Sequence, residues 1–329
     1  VEFLLNNFTE LTITGLVLGS VYALVALGYT LVYGVLQLIN FAHSEVFMWG
    51  TYGVVWILMM LGVSGSATIG EAAGFLVIAL IAAVLLSGGT ALLVERVAYR
   101  RLVRQKAPTY IILISAIGAS FVLSEAMGLR EKIVGLFGLQ QVLAPYVQNS
   151  RNTSIMPLEI KPQRVFEFAG YNVKDTEVLI IISALVMMLV LDLFIRRTTF
   201  GRQIRAVAQD PEAASLMGAN STNVVRLTFL IGGIMAGVAA TLYMIKVGAT
   251  GFNVGFVLGV KAFTAAVLGG IGNLRGALLG GLLLGIAENY ASGILGSEWR
   301  DVTAFVLLVL VLLVRPSGLL GETLGRARA

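Results

Sequence analysis

The feature that most constrains this chain is the recurrence of long stretches without a charge. Leu11–Tyr33 and Ala72–Val94 contain no Asp, Glu, Lys or Arg. About 20 apolar residues in a helix cross the ~30 Å hydrocarbon core of a bilayer. Only closed backbone hydrogen bonding is tolerated there, so such runs are read as membrane helices. Apolar runs of this kind recur at roughly 11–36, 46–62, 72–94, 109–127, 177–195, 225–247, 255–274, 276–296 and 301–314. All six prolines fall outside them, where a missing backbone N–H does least harm. Only 12% of the 329 residues are charged, against about a quarter in soluble domains. The fold class is therefore all-α, a polytopic transmembrane bundle of about 8–10 spans, in one domain over 1–329 with a longer loop at about 128–176.

Lys and Arg placement predicts orientation. Arg96, Arg100, Arg101, Arg104 and Lys106 fall in one loop, and Arg196, Arg197, Arg202, Arg205 and Arg226 fall in another. Arg275, Arg315, Arg326 and Arg328 follow. With nine spans all of these lie on one side, the cytoplasm. The amino terminus, 63–71, 128–176 and 248–254 then lie outside, and the carboxyl terminus lies in the cytoplasm. Val1–Glu10 has two acidic residues and no basic one, which is not the pattern of a cleavable signal.

The composition also narrows the chemistry. There is no cysteine and a single histidine, His43, so thiolate and multi-histidine metal sites are not expected. No Gly-Lys dipeptide occurs, so a Walker A phosphate loop is absent. The net charge of +5 resides in inter-span loops and suits orientation in a membrane rather than nucleic-acid binding. No cofactor of the chain's own and no enzymatic activity are expected.

Glycines recur at helix-packing spacing: Gly15 and Gly19, Gly233 and Gly237, Gly276 and Gly280, Gly281 and Gly285. Helices in lipid associate through close backbone approach, which small residues permit.

The loop at about 196–224 carries the densest local signals. Asp210 is a good N-cap, Pro211 suits the first helical position, and Glu212 in the first turn complements the helix dipole. Ala213, Ala214, Leu216 and Met217 complete a short amphipathic helix that Gly218 ends. A helix of this kind fits a groove on a partner or lies on the membrane surface. Small Ala213 and Ala214 would let it approach a partner closely.

Glu212-Ala213-Ala214, three residues, then Gly218 resembles the EAA loop of the membrane subunits of ABC importers. Further blocks narrow the resemblance. Ile39–Glu45, Gly201–Gly218, Lys261–Gly272, Gly285–Glu288 and Val314–Gly321, in that order, are similar to the LivH-type permease of branched-chain amino-acid ABC importers. Ser44 stands where that family usually has glycine, and the later Ile and Leu-Pro of the EAA signature are missing. Urea and short-chain-amide permeases share much of the pattern.

The resemblance implies a permease subunit of the bacterial cytoplasmic membrane, working by alternating access with a second, LivM-like permease. It also implies two ABC ATPase subunits that bind ATP and an external substrate-binding protein. Arg202, Arg205, Asp210, Glu212, Ala213, Ala214 and Gly218 would couple to the ATPase. The different-class reading is a stand-alone secondary transporter or channel.

Ionisable residues inside the membrane are the remaining candidates, because burying them is costly. Asn40, His43 and Glu45 lie in a polar break between spans one and two, either a cytoplasmic turn or a re-entrant segment lining a cavity. Lys261 and Glu288 lie within spans seven and eight, as a pair lining the translocation path or as a structural salt bridge.

Overall fold

A computed structural model describes residues 7–147 and 149–321. Each of the nine apolar runs coincides with a helix. These are α1 (Phe8–Leu36), α2 (His43–Met60), α3 (Ile69–Val94), α5 (Thr109–Gly128), α8 (Asp175–Arg197), α11 (Ser221–Val247), α12 (Val254–Gly269), α13 (Leu274–Leu295) and α14 (Arg300–Val314). α3 runs on through a π-helical turn, Glu95–Tyr99, into α4 (Arg100–Arg104). Six of these helices are long and apolar enough to cross a membrane: α1, α3 with its extension, α5, α8, α11 and α13. α2, α12 and α14 are short, at 18, 16 and 15 residues.

Two boundaries differ from the sequence reading. α2 starts at His43, so His43, Ser44 and Glu45 form its first turn rather than a connecting break. α12 stops at Gly269 because Gly270 adopts φ +107°, which ends the helix before the small turn into α13.

The 128–176 region is more ordered than a simple loop. It contains α6 (Arg130–Leu136), α7 (Gln140–Val147), β2 (Ser154–Ile155), β3 (Leu158–Ile160) and the hairpin strands β4 (Arg164–Phe168) and β5 (Tyr171–Lys174). β1 (Gly65–Ala67) pairs in parallel with β3, and β2 pairs antiparallel with β6 (Ala249–Thr250). These short ladders tie three inter-helix connections into one cap.

The bundle has two chemically distinct ends. At one, Thr9 donates to the Ala169 carbonyl and Lys246 lies 3.7 Å from Glu177, beside the cap. At the other, Lys106 pairs with Glu212 at 2.7 Å and Arg275 pairs with Asp192 at 3.1 Å. The backbone N–H groups of Leu319 and Leu320 donate to Leu268 and Gly269 there. That end collects the arginine-rich segments 100–106, 192–226 and 275, and the start of the tail.

α1 and α11 form the buried centre. All four glycine pairs lie at helix crossings. A Cβ on Gly19 would sit 2.6 Å from the Gly281 carbonyl, and one on Gly285 would sit 2.3 Å from the Gly15 carbonyl. Gly233 and Gly237 lie against α3 at Gly88 and Val84, and Gly276 and Gly280 against α12 at Gly269 and Ala265. Buried hydroxyls are hidden by bonding back to carbonyls one turn earlier, as Ser20 does to Leu16 and Thr228 to Val224. The outer faces of α3, α5, α8 and α14 stay apolar and exposed, for example Leu85, Val122, Leu189 and Val309.

One ionic cluster links four helices. Lys261 Nζ on α12 lies 3.1 Å from Glu288 Oε2 on α13 and 2.7 Å from Asp301 Oδ1 on α14. The Tyr22 hydroxyl of α1 donates to the same Glu288 oxygen at 2.8 Å. Lys261 and Glu288 thus lie within salt-bridge distance of each other.

Two predictions follow from this packing. Gly281→Leu should disrupt the α1–α13 crossing, because its Cβ would lie 2.6 Å from the Ala23 backbone. Overpacking of this kind costs about 1–3 kcal/mol or more. Gly74→Leu, where no atom lies within 4 Å, should leave the melting temperature in detergent nearly unchanged. Lys261→Met strands the buried Glu288 carboxylate with only Tyr22, whereas Glu288→Gln leaves Lys261 its Asp301 partner. Lys261→Met should therefore be the more damaging, at roughly 3–5 kcal/mol. The double variant should recover part of the loss, and strictly additive melting-temperature changes would rule out the pairing.

Candidate functional site

Two long helices end in the same way. α1 stops where Gln37 turns left-handed at φ +54°, its N–H donating to Tyr33 O. α11 stops at Gly248 with φ +72°, its N–H donating to Met244 O. Each is followed by a few residues without regular helix and then by a short helix, α2 or α12. α1 and α11 run in opposite directions, so the two breaks approach from opposite ends. Paired interrupted helices in two halves of a transporter mark the place where a substrate is held.

The segments are satisfied locally. His43 N–H donates to Asn40 O, Ser44 Oγ to Phe41 O at 2.9 Å, and Ser124 Oγ to Phe252 O at 2.8 Å. Thr51 and Thr250 share a hydrogen bond of 2.6 Å that ties α2 to the second break.

Between the breaks and α5 lies a cavity of about 560 Å³. Its walls are mainly apolar, with the aromatic rings of Tyr29, Phe41, Phe121, Phe252, Phe256 and Phe263 beside Ile117, Val260 and Leu308. Its polar groups are Ser44, Glu45, Ser120, Ser124, Glu125 and Asn253. Glu45 is 1% exposed. Its Oε1 accepts from Ser120 Oγ at 3.4 Å, and its Oε2 has no hydrogen-bond partner. Gly255, in the first turn of α12, makes room for that oxygen, since a Cβ there would approach it to 2.5 Å.

The path candidates thus separate. Of Asn40, His43, Glu45, Lys261 and Glu288, Glu45 lines this cavity. Asn40 accepts from the Tyr99 hydroxyl at 3.1 Å, tying the first break to the π-helical turn of α3. His43 is wedged between α1 and α11, where Gly28 and Gly232 leave space for its ring. Lys261 and Glu288 sit in the ionic cluster. Within the first break Asn40 and Ala42 are buried, Gln37 is exposed, and Leu38, Ile39 and Phe41 are partly exposed.

Arg130 is a site the sequence reading missed. It is 6% exposed, with its guanidinium on the carbonyls of Ser150 and Met127 and 4.9 Å from the Tyr52 ring centroid. Phe252 lies between this region and the cavity, with Gly128 against its ring and the Arg151 guanidinium 5.3 Å from its centroid.

At the arginine-rich end, the 196–224 segment forms two helices broken at Asp210, α9 (Thr199–Gln209) and α10 (Pro211–Leu216). Asp210 Oδ1 accepts from the N–H groups of Glu212 and Ala213 at 2.9 and 3.0 Å, a cap worth about 1 kcal/mol. Gly218 at φ +89° closes α10, with Gly218 N–H on Ser215 O and Ala219 N–H on Ala214 O. Arg202 and Arg205 are exposed, and Arg205 donates to the Ile195 carbonyl. The Glu212 carboxylate holds the Lys106 ammonium above its usual pKa through their hydrogen bond.

Ala214 corrects the expectation of two outward-facing alanines. It is 5% exposed and packs in the chain's own core with Ile204 and Val207, while Ala213 is exposed. The residues presented outward are Leu216 and Met217, 88% and 90% exposed.

Comparison with known proteins bears on this arrangement. The family model described as branched-chain amino acid transport system / permease component matches residues 11–312. The high-affinity branched-chain amino acid transport system permease protein BraD of Pseudomonas aeruginosa is 39% identical, over 96% of each chain. The corresponding LivH protein of Escherichia coli K12 is 41% identical, again over 96% of each. Among solved structures, PsaBC from Streptococcus pneumoniae in complex with Fab aligns over 96% of both chains at a TM-score of 0.47 and 12% identity, a likeness too low to carry an argument. A multi-pass helical membrane protein with a family match over 11–312, the chain belongs to the branched-chain amino acid transport system permease family.

Proposed function

We propose that this chain forms half of the transmembrane pathway of an ABC importer for branched-chain amino acids, and that the substrate passes through the cavity between the two helix breaks. The observation that carries this reading is the cavity itself, about 560 Å³, walled by six aromatic rings and bearing a few polar groups at one side. Ligand sites of this kind pair a predominantly apolar lining with a small number of placed polar groups. Aliphatic side chains gain from burial against such walls. A small polar molecule such as urea gains little from them, which disfavours the amide-permease reading.

The remaining half of the pathway is assigned to a second permease, with two ATPases on the arginine-rich side and a substrate-binding protein on the other. The amino terminus is placed outside and the carboxyl terminus in the cytoplasm, because the arginine-rich end then faces inward. The α10 helix seats on the ATPase through Leu216 and Met217, large apolar side chains that are otherwise left in water. Arg202, Arg205, Asp210, Glu212, Ala213 and Gly218 shape that surface, and Ala214 holds it to the permease core. The chain contributes no catalytic group, and the ATPases hold the ATP.

Labelled leucine uptake by cells expressing the full importer, with and without this chain, tests the function directly. Leu216→Glu with Met217→Glu should leave membrane levels and melting temperature near wild type. It should abolish ATPase pull-down and reduce leucine uptake at least about tenfold, as loss of an interface anchor does. Wild-type uptake by this variant would remove the docking role. Orientation is tested with single cysteines in this cysteine-free chain. Cysteines at positions 104 and 205 should resist an impermeant thiol reagent in intact cells, whereas one at position 167 should react.

A further inference from the structure

The polar side of the cavity has a one-sided hydrogen-bonding character. Three serine hydroxyls line it: Ser44 commits its proton to Phe41 O at 2.9 Å and Ser124 to Phe252 O at 2.8 Å, while Ser120 lies at a longer 3.4 Å from Glu45 Oε1. A hydroxyl whose proton is engaged offers only its lone pairs. Glu45, buried at 1% exposure, adds an oxygen without a partner. Among the described residues, no Lys or Arg nitrogen lies within 4 Å of that carboxylate. Glu288 has Lys261, and Glu125, the second acid of the cavity lining, has Arg151 at 2.8 Å. Around Glu45 the lining offers mainly acceptors, with the Tyr29 hydroxyl and the Asn253 amide as its donors, and this carboxylate has no cation of its own.

We infer that Glu45 is the receptor for the ammonium group of the substrate, so that the cavity selects small primary-ammonium compounds with an apolar side chain. An isolated buried carboxylate is costly, and a ligand cation that pairs with it removes that cost at the moment of binding. The ammonium has three donors. One goes to Glu45 Oε2, and the serine oxygens around it accept the others. The aliphatic side chain then lies against the phenyl rings, of which Phe256 and Phe263 on α12 flank Gly259, itself packed on Ser44. The same carboxylate repels a substrate that carries a carboxylate alone. Asn253, at the N-terminal end of α12, is the side chain able to donate to a substrate carboxylate. Ser44 stands beside Glu45 on this polar side, so the residue at which the chain departs from its resemblance is one that touches the ligand.

This inference rests on the proposed transport reading and is tested separately from it. The purified importer, assembled with its partner subunits but without the binding protein, is titrated with three probes: leucine, 3-methylbutylamine and 4-methylpentanoate. The first two should bind and the third should not, because it lacks the ammonium. Glu45→Gln should weaken leucine and 3-methylbutylamine binding about tenfold or more, the usual loss for a charge-assisted hydrogen bond. Glu45→Asp should recover part of the affinity. Binding of 4-methylpentanoate as tight as that of leucine overturns the inference on the wild-type protein alone, whatever the folding of the variants. So does wild-type leucine affinity in Glu45→Gln, or failure of the wild-type importer to bind 3-methylbutylamine. If cells with the intact importer take up no leucine, isoleucine or valine, the transport reading itself has failed. If they do and Glu45→Gln still binds normally, the receptor role alone has failed.

Discussion

The backbone contact between α1 and α13 is the constraint on which the rest of this bundle depends. In lipid, apolar side chains gain nothing by leaving the hydrocarbon for one another, so close packing has to hold helices together. At Gly15, Gly19, Gly281 and Gly285 the two backbones meet with no side chain between them. That approach brings Tyr22 within hydrogen-bonding distance of Glu288, and Glu288 in turn anchors Lys261 and, through it, α12 and α14. A buried charge pair tolerates little displacement, since each partner left alone is heavily penalised. Glycine packing sets the distance, and the ion cluster fixes the register.

Holding α12 in this way has a consequence at its other end. Its first turn faces Glu45, with Gly255 leaving room for the carboxylate. Irregular backbone in a membrane protein survives only where it is buried in protein or lines a cavity, because unpaired peptide groups in hydrocarbon are expensive. Both breaks meet that condition. Their carbonyls at Phe41 and Phe252 are taken by serines 44 and 124, and the space between them is the aromatic cavity. The serine protons that repair the breaks are the same ones withheld from the cavity. Backbone satisfaction and the acceptor-rich character of the site therefore have one cause.

Much of this was legible in the residue pattern because it is local. Long apolar runs poor in charge located the nine helices, and spacing of glycines located their crossings. Asp210, Pro211 and Gly218 located a helix of six residues. Lys261 and Glu288 stood out as ions in apolar surroundings and do pair. What escaped depends on long-range placement. The strands at 65–67, 154–155, 158–160 and 249–250 are two or three residues long and pair across the chain, so they have no period to read. Arg130 follows a span directly and looks like any basic loop residue, whereas its burial comes from Ser150 folding back over it. Asp301 at the start of a span gave no sign that it shares Lys261. Which alanine of Glu212-Ala213-Ala214 faces inward is decided by the angle of α10 against α9, which a six-residue helix does not encode by itself.

The same angle connects the two candidate surfaces. α10 is held by Ala214 against the core, and Glu212 reaches Lys106 beyond α4. α4 continues from the π-helical turn that carries Tyr99, and Tyr99 donates to Asn40 in the first break. Three residues further on, His43 opens α2 between Gly28 and Gly232, and Glu45 follows on the same turn. Every step in this series is a packed or hydrogen-bonded contact, and π-helical turns are the places where a long helix most readily changes shape. Spatial continuity alone does not make a coupling route, since that requires an element with two arrangements that both sites bias. The Lys106–Glu212 pair, exposed on both sides, adds orientation rather than strength to the contact between α10 and the segment after α4.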